Sequence, residues 1–362
     1  MTDDDDDLSE QLIPDPDPVA VSYSTTDFDV EGLVRRQQRG DIVIPTFGED
    51  LDDPPIETAR FQRPLVWLKS QMDRFIESLL LGYPIPGIFL VKQEDKRYLV
   101  LDGQQRLRTL RAFYEGLVFK REFALKNVGD RFVGLTYKTL SVEQRRQIDN
   151  TFIQATVVQT TPAQNSFDAI YQVFERLNAG GTQLTPHEIR VALYAGPFIE
   201  WLTGLSSTSE WRNLYGPAPR HLRDQELVLR ILALYIGFET YKRPLKKYLN
   251  DFVDGHRELQ SIDTTALGNR FRAAAGLLFE AGGLEVLRPG GTAVNAAWTE
   301  ALFIGLMARL ERTTIELDDV RDAVTALLND RGMASAITRA TADLESVKTR
   351  VSKSREAFGK SD

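Results

Sequence analysis

Apolar positions recur at spacings of three and four downstream of Trp67. Leu68, Met72, Phe75, Ile76 and Leu79 fall on one face, so the pattern predicts an amphipathic helix. Gly82 follows and can close that helix in a left-handed conformation. Upstream, Leu33 to Gly40 reads as a short basic helix, Ile42-Val43-Ile44 as a strand, and the Pro- and acid-rich residues 48–60 as a loop. Ile85 to Val91 and Tyr98 to Leu101 are short apolar runs on either side of the polar turn Gln93 to Arg97, which predicts a hairpin or two adjacent strands. Leu107 to Phe113 reads as a helix, and residues 119–135 as mixed with some strand. Ser141 with Gln144 forms a capping-box signature that opens a helix to about Asp149, and the β-branched run Thr151 to Gln159 reads as the last strand.

The periodicity then changes. Residues 164–178, 185–195, 224–240, 264–281, 294–310, 316–329 and 333–357 all support helix. Thr185-Pro186-His187-Glu188 supplies a hydroxyl at the N-cap, proline at the first helical position and an early carboxylate. The expected fold class is therefore α+β, with an α+β domain over residues 28–162 followed by an all-α domain over 163–362. Residues 1–27 are acidic, then rich in Pro, Ser and Thr, and read as a disordered tail.

Charge sharpens this division. The chain of 362 residues has a net charge of -8, which at first argues against nucleic acid. Asp3 to Asp7, Glu10, Asp15 and Asp17 supply eight acids within residues 1–18, with no Lys or Arg among them. Taking those eight from the 52 Asp and Glu leaves 44, equal to the 44 Lys and Arg, so the body is neutral. The acidity belongs to the tail, which either aids solubility or mimics DNA charge toward a partner. The absence of cysteine removes disulfides, thiolate chemistry and Cys-based zinc sites, and fits a cytoplasmic location. No basic segment followed by an apolar run marks a signal peptide, and no apolar stretch approaches the ~20 residues of a membrane span.

Candidate chemistry concentrates where the strand ending in Leu101 runs into Asp102-Gly103-Gln104-Gln105-Arg106 and at once into a helix. Glycine permits close backbone approach to a ligand, and the open amides of a helix's first turn favour an anion. Gln104, Gln105 and Arg106 add side-chain donors, Arg106 can grip a phosphate through two N–H groups, and Asp102 can hold Mg²⁺ or orient a water. The same residues also suit an ordinary helix start, with Asp102 as the cap of a turn and the glutamines on a wet face. In Phe61-Gln62-Arg63-Pro64-Leu65-Val66-Trp67, Arg63 could reach the same phosphate and Gln62 a base or ribose, or the aromatics could be core anchors with Arg63 paired at the surface. In residues 174–190, FERLNAGGTQLTPHEIR, two helices meet at a Gly-Gly turn, which a plain helical hairpin explains.

Taken together, FQRPLVW at 61–67, GYPIPGIFL at 82–90, DGQQRLRTL at 102–110 and FERLNAGGTQLTPHEIR at 174–190 resemble, in order and spacing, the N-terminal domain of GmrSD-type modification-dependent restriction proteins. That domain is related to the ParB/sulfiredoxin fold, and the resemblance spans roughly residues 30–240. It implies that Asp102, Gly103, Gln104, Gln105 and Arg106 bind a nucleoside triphosphate (ATP, GTP or CTP) with Mg²⁺ on Asp102. Asp102, Gln105 and Arg106 would act in hydrolysis, and Gln62 and Arg63 would line the pocket. It further implies antiphage defence, phage or modified DNA as a partner, and nucleotide-dependent restriction. Relatives carry a C-terminal HNH nuclease domain. Here the histidines are His187, His221 and His256, and none lies in a His-rich cluster, so a separate HNH domain is not expected. Cleavage would then fall to a nuclease or modification-system partner, or to the ParB-like domain itself as a nicking enzyme. Alternatively the protein is a nucleotide-gated DNA clamp or regulator without nuclease activity, or an adaptor acting through its acidic tail. Arg220 and Arg223, and the basic-aromatic segment Tyr241 to Tyr248 with Lys242, Arg243, Lys246 and Lys247, are the candidate DNA contacts, or else solvated helix ends with core aromatics. Lys348, Arg350, Lys353 and Arg355 read as a solvated helix face that could aid homo-oligomerisation.

Overall fold

The computed structural model describes residues 21–44, 67–93, 95–159, 166–178 and 185–359. They fall into two compact units, one ending at Thr185 and the other beginning at Pro186.

The first unit is built on strands β1 (Ser22–Asp29), β2 (Ile42–Val43), β3 (Ile88–Lys92), β4 (Tyr98–Asp102) and β7 (Phe152–Gln159). They form a mixed sheet in the order β1-β7-β3-β4-β2. β3 and β4 are the expected hairpin, antiparallel, while β7 runs parallel to β3 and β2 parallel to β4. Residues 119–135 contribute only the end of a short pair, β5 (Leu117–Val118) and β6 (Arg121–Glu122), followed by irregular chain and a single 3-10 turn. Around the sheet lie α1 (Val30–Gln38), α2 (Lys69–Leu80), α3 (Gln104–Glu115), α4 (Val142–Asp149) and α5 (Ser166–Asn178). From Met72 onward the predicted stripe of α2 is its core face: Met72, Phe75, Ile76 and Leu79 pack with Leu107, Leu110 and Phe113 of α3 and with Ile88, Leu90 and Val100 of the sheet, whereas Leu68 is the exposed N-cap. α4 opens on the expected box, with Ser141 Oγ accepting from Gln144 N (3.1 Å) and Gln144 Oε1 from Ser141 N (2.9 Å).

β1 departs from expectation. Its residues 22–27 belong by composition to the acidic tail, yet they pair with β7 in an eight-residue antiparallel register. Tyr and two Thr favour extended backbone, and an edge strand needs no apolar alternation, because the side chains of Ser22–Thr26 and Asp27 are exposed.

The second unit is helical: α6 (Pro186–Leu193), α7 (Pro197–Ser206), α8 (Ser209–Tyr215), α9 (Arg223–Gly237), α10 (Leu245–His256), α11 (Thr264–Gly282), α12 (Ala296–Arg312), α13 (Leu317–Leu328), α14 (Arg331–Ala336) and α15 (Leu344–Gly359). α7, α8 and α10 lie outside the expected helices, and the helix expected over 333–357 is broken into α14 and α15. α12 is buried almost all round, from Ala296 to Met307, and is the central helix of this unit. Arg350 is no solvated residue. It is fully buried on α15, where it pairs with Glu300, whose other oxygen takes Arg230 Nε at 2.5 Å. A buried carboxylate requires such partners, and this one has two.

Candidate functional site

β4 delivers Asp102 to the sheet's end through a local slip in register. Phe89 faces Asp102 while Leu90 faces Val100, so one residue of β4 is extra. Such a bulge turns the strand's last side chain. Gly103 then adopts φ 95°, ψ 9°, in the left-handed region. A Cβ there would stand 2.4 Å from Ile88 Cγ2 and 3.0 Å from Ile88 Cβ. Conformation and space both require glycine, for Ile88 is a fully packed core residue.

α3 begins immediately at Gln104, without a side-chain cap, and its first ladder bond is Leu107 N to Gly103 O (3.0 Å). The amides of Gln104, Gln105 and Arg106 precede that bond and stand at the positive end of the helix dipole. Arg106 NH2 donates to Asp102 Oδ2 (2.8 Å) and its NH1 to the carbonyl of Pro86 (2.6 Å). The arginine is mostly covered, at 12% exposed, whereas Asp102 is 53% exposed and open to a ligand. Gln105 Oε1 accepts the backbone N–H of Trp67 (3.0 Å), which fastens the end of the FQRPLVW segment to this loop. Gln104 lies half-buried on the same turn. The loop residues Asp102 to Arg106 are thus brought together, while Gln62 and Arg63 lie outside the described residues.

Two backbone groups of this site, the Pro86 carbonyl and the Trp67 amide, escape a side-chain reading of the sequence. The signal was present in GYPIPG, whose Gly82 takes φ 70° after α2 and turns the chain toward Pro86. The described residues contain no group of three His, Cys, Asp or Glu that could hold a metal. Among the described residues, Asp102 is the carboxylate this loop would offer a divalent ion, with phosphate oxygens and water completing the shell. That fits Mg²⁺, which usually takes one or two carboxylates.

The polar residues of the HEIR segment turn inward within the helical unit. His187, Glu188 and Arg190 are buried. Arg190 NH1 donates to His187 Nδ1 (3.1 Å), because arginine has only donors. His187 Nε2–H therefore donates to Gln225 Oε1 (2.9 Å), and Gln225 in turn donates to Thr203 Oγ1 (2.8 Å). Burial pushes the His187 pKa down to about 4; Glu226 and the Gln225 hydrogen bond oppose that and Arg190 reinforces it, so the ring is neutral. His221 Nδ1 sits 3.3 Å from Glu188. Arg190 Nε also bonds Asn250 of α10 (2.9 Å). These residues tie the helices of this unit together; the expected Gly180-Gly181 turn lies outside the described residues.

The basic segments of the helical unit are mixed. Tyr241 and Tyr248 are core residues, donating to the carbonyls of Ala342 (2.5 Å) and Ala233 (2.7 Å), and are no stacking platforms. Arg212 is paired with Asp224 and packs over Tyr215. Lys242 and Arg243 are exposed, Arg243 pairing with Asp343, while Lys246 and Lys247 are half-buried and Lys247 holds Asp251 at 2.8 Å. Arg223 is exposed at the start of α9, and Arg220 lies in the short 3-10 turn before it. No helix among the described residues is long and apolar enough to cross a membrane.

No curated protein matches the chain. A family model does: the GmrSD restriction endonuclease, N-terminal domain, matches residues 31–195. That span contains the Asp102–Arg106 loop, every strand of the five-stranded sheet except β1, and the buried His187, Glu188 and Arg190. Residues 31–195, a little under half of the chain, are therefore similar to the N-terminal domain of GmrSD-type restriction endonucleases.

Proposed function

We propose that this protein binds and hydrolyses a nucleoside triphosphate at the Asp102–Arg106 loop, and engages DNA as a subunit of an antiphage, modification-dependent restriction system. The observation carrying the proposal is the glycine-enforced junction of β4 and α3, which sets uncapped amides beside an exposed carboxylate and a fixed arginine. The restriction role follows from the family of the matched domain.

In this reading the first-turn amides of α3 take the phosphate oxygens. Arg106, held in place by Pro86, stabilises the charge that develops on the transferred phosphoryl group. Gln105 is a positioning residue that holds the Trp67 amide against the loop; Gln62 and Arg63 are the further candidates for lining the pocket. Asp102 would hold Mg²⁺, which would supply charge neutralisation to the bound triphosphate. One water is consumed: its oxygen bonds the terminal phosphorus, the bridging P–O bond breaks, and nucleoside diphosphate, phosphate and a proton leave. DNA lies along Arg220, Arg223, Lys242, Arg243, Lys246 and Lys247. The exposed pair of Arg243 with Asp343 is worth under ~1 kcal/mol and is readily exchanged for a DNA phosphate. Strand cleavage falls to a partner nuclease. In a second reading the protein is a nucleotide-gated DNA clamp that cuts nothing: His187 is buried and bonded to Arg190 and Gln225, so it serves packing and not a nuclease metal.

The full chain should release phosphate from ATP, GTP or CTP with Mg²⁺, and Arg106→Ala should lower the rate about 100-fold, as for loss of a transition-state donor. Equal rates in the folded variant, or no release from any of the three, would overturn the hydrolase assignment. A plasmid-nicking assay under the same conditions separates the clamp from a protein that cuts by itself.

A further inference from the structure

We propose that the helical unit carries a binding site of its own for a small organic phosphate of nucleotide size, built from different residues than the Asp102 loop. A cavity of about 640 Å³ opens among the end of α9, the start of α11 and the ends of α12 and α15. Its volume is that of a small-molecule site, which usually measures ~300–1,000 Å³.

Four arginines from three helices line it: Arg270 of α11, Arg309 and Arg312 of α12, and Arg355 of α15. Two acids, Asp263 and Glu311, share the lining, and both are occupied. Asp263 caps α11 by accepting Ala266 N at 2.9 Å. Glu311 accepts Tyr235 Oη at 2.9 Å and pairs with Arg270 at 3.2 Å. Once Arg270 is matched to Glu311, the lining keeps a positive excess. Arg312 has no ion pair or hydrogen bond among the described residues. Arg355 approaches an acid, Glu239, only at 3.8 Å, and its buried Nε has no hydrogen-bond partner. Like charges converging on one cavity repel. An entering dianion reverses that sign and satisfies the guanidinium donors, which suit phosphate in pairs.

The lining is not all charged. Ile236, Ile262 and Leu267 are apolar, and Tyr235, bonded to Glu311 and Arg270, lines the cavity with them. A flat or apolar body can cover these side chains while its phosphate meets Arg312 and Arg355. That mixed lining is what selects an organic phosphate over a bare inorganic ion.

The test is isothermal titration calorimetry on the full chain without Mg²⁺, using AMP, pyrophosphate and adenosine as probes. AMP should bind, adenosine at least tenfold more weakly, and the affinity for AMP should fall with added salt. Arg312→Gln, an exposed change that spares the core, should weaken AMP binding at least fivefold, and Arg312→Gln with Arg355→Gln at least 30-fold. In Arg106→Ala an AMP-binding event should persist that Arg312→Gln with Arg355→Gln removes, which separates this site from the loop. The proposal fails if neither AMP nor pyrophosphate binds, if adenosine binds as well as AMP, if the double variant binds AMP like the parent, or if Arg106→Ala alone abolishes binding. The hydrolase assignment survives any of these results.

Discussion

Replacing Gly103 with alanine tests the geometry of the loop at one atom. The backbone at φ 95° costs a β-carbon about 1–2 kcal/mol. The new methyl would lie 2.4 Å from Ile88 Cγ2, and Ile88, packed in the core at 1% exposure, cannot withdraw. Overpacking of this kind adds about 1–3 kcal/mol. The sum is about 2–5 kcal/mol, or a fall of roughly 30-fold or more in the hydrogen-exchange protection of core amides such as Leu90, Val100 and Leu110. Ile88→Ala removes the colliding Cγ2 at a cavity cost of about 2–5 kcal/mol by itself. In the double variant the two losses should therefore fall short of their sum by at least ~1 kcal/mol. NMR-detected exchange of the four proteins completes the cycle. A loss below about 1 kcal/mol for Gly103→Ala, or strict additivity with Ile88→Ala, would refute the packing argument.

Asp102→Asn removes a negative charge from the mouth of the loop, so nucleotide binding without Mg²⁺ should strengthen about tenfold while Mg²⁺-stimulated phosphate release falls; weaker Mg²⁺-free binding in calorimetry would contradict this role. His187 should give the helical unit an acid-sensitive stability. Its folded pKa is lowered to about 4 and its ordinary value is 6.5, so its contribution is complete above the ordinary value and is lost as pH falls from there toward the folded one. The loss amounts to about 3 kcal/mol, and His187→Gln should flatten thermal stability across that window. At Glu300 burial pushes the pKa up, but Arg230 and Arg350 outweigh it and hold the carboxyl below its ordinary value. Its contribution is therefore present above the ordinary carboxylate range and lost as pH falls through the folded pKa; Glu300→Gln should cost about 3–5 kcal/mol near neutral pH in thermal unfolding.

The elements legible in the sequence are those whose signal is local. The stripe from Met72 to Leu79, the polar turn between β3 and β4, and the Ser141–Gln144 box each fix their own backbone over a few residues. β1 was hidden because its stability comes from pairing with β7, more than a hundred residues away, while its composition matches a solvated tail. α10 was hidden because Leu245, Leu249, Phe252 and Val253, though at helical spacing, are interleaved with Lys246, Lys247 and Tyr248, and the charge suggests a surface. Arg350 shows the same limit: a lone arginine on a polar helix looks exposed until Glu300, fifty residues earlier, is brought beneath it. At the loop, the side chains of Asp102, Gln105 and Arg106 were legible, but what they hold was not. Two of their partners, Pro86 O and Trp67 N, are backbone atoms that any sequence would possess.

The most direct test of the central claim is hydrogen–deuterium exchange of the full chain with and without Mg²⁺ and each of ATP, GTP and CTP. The amides of Gln104, Gln105 and Arg106 have no intrahelical partner of their own and should exchange quickly in the free protein. A triphosphate seated on the start of α3 must slow them, and Arg106→Ala must abolish that slowing. Protection that appears elsewhere in the chain while these three amides remain unchanged would show that the loop is a plain helix start and not the nucleotide site.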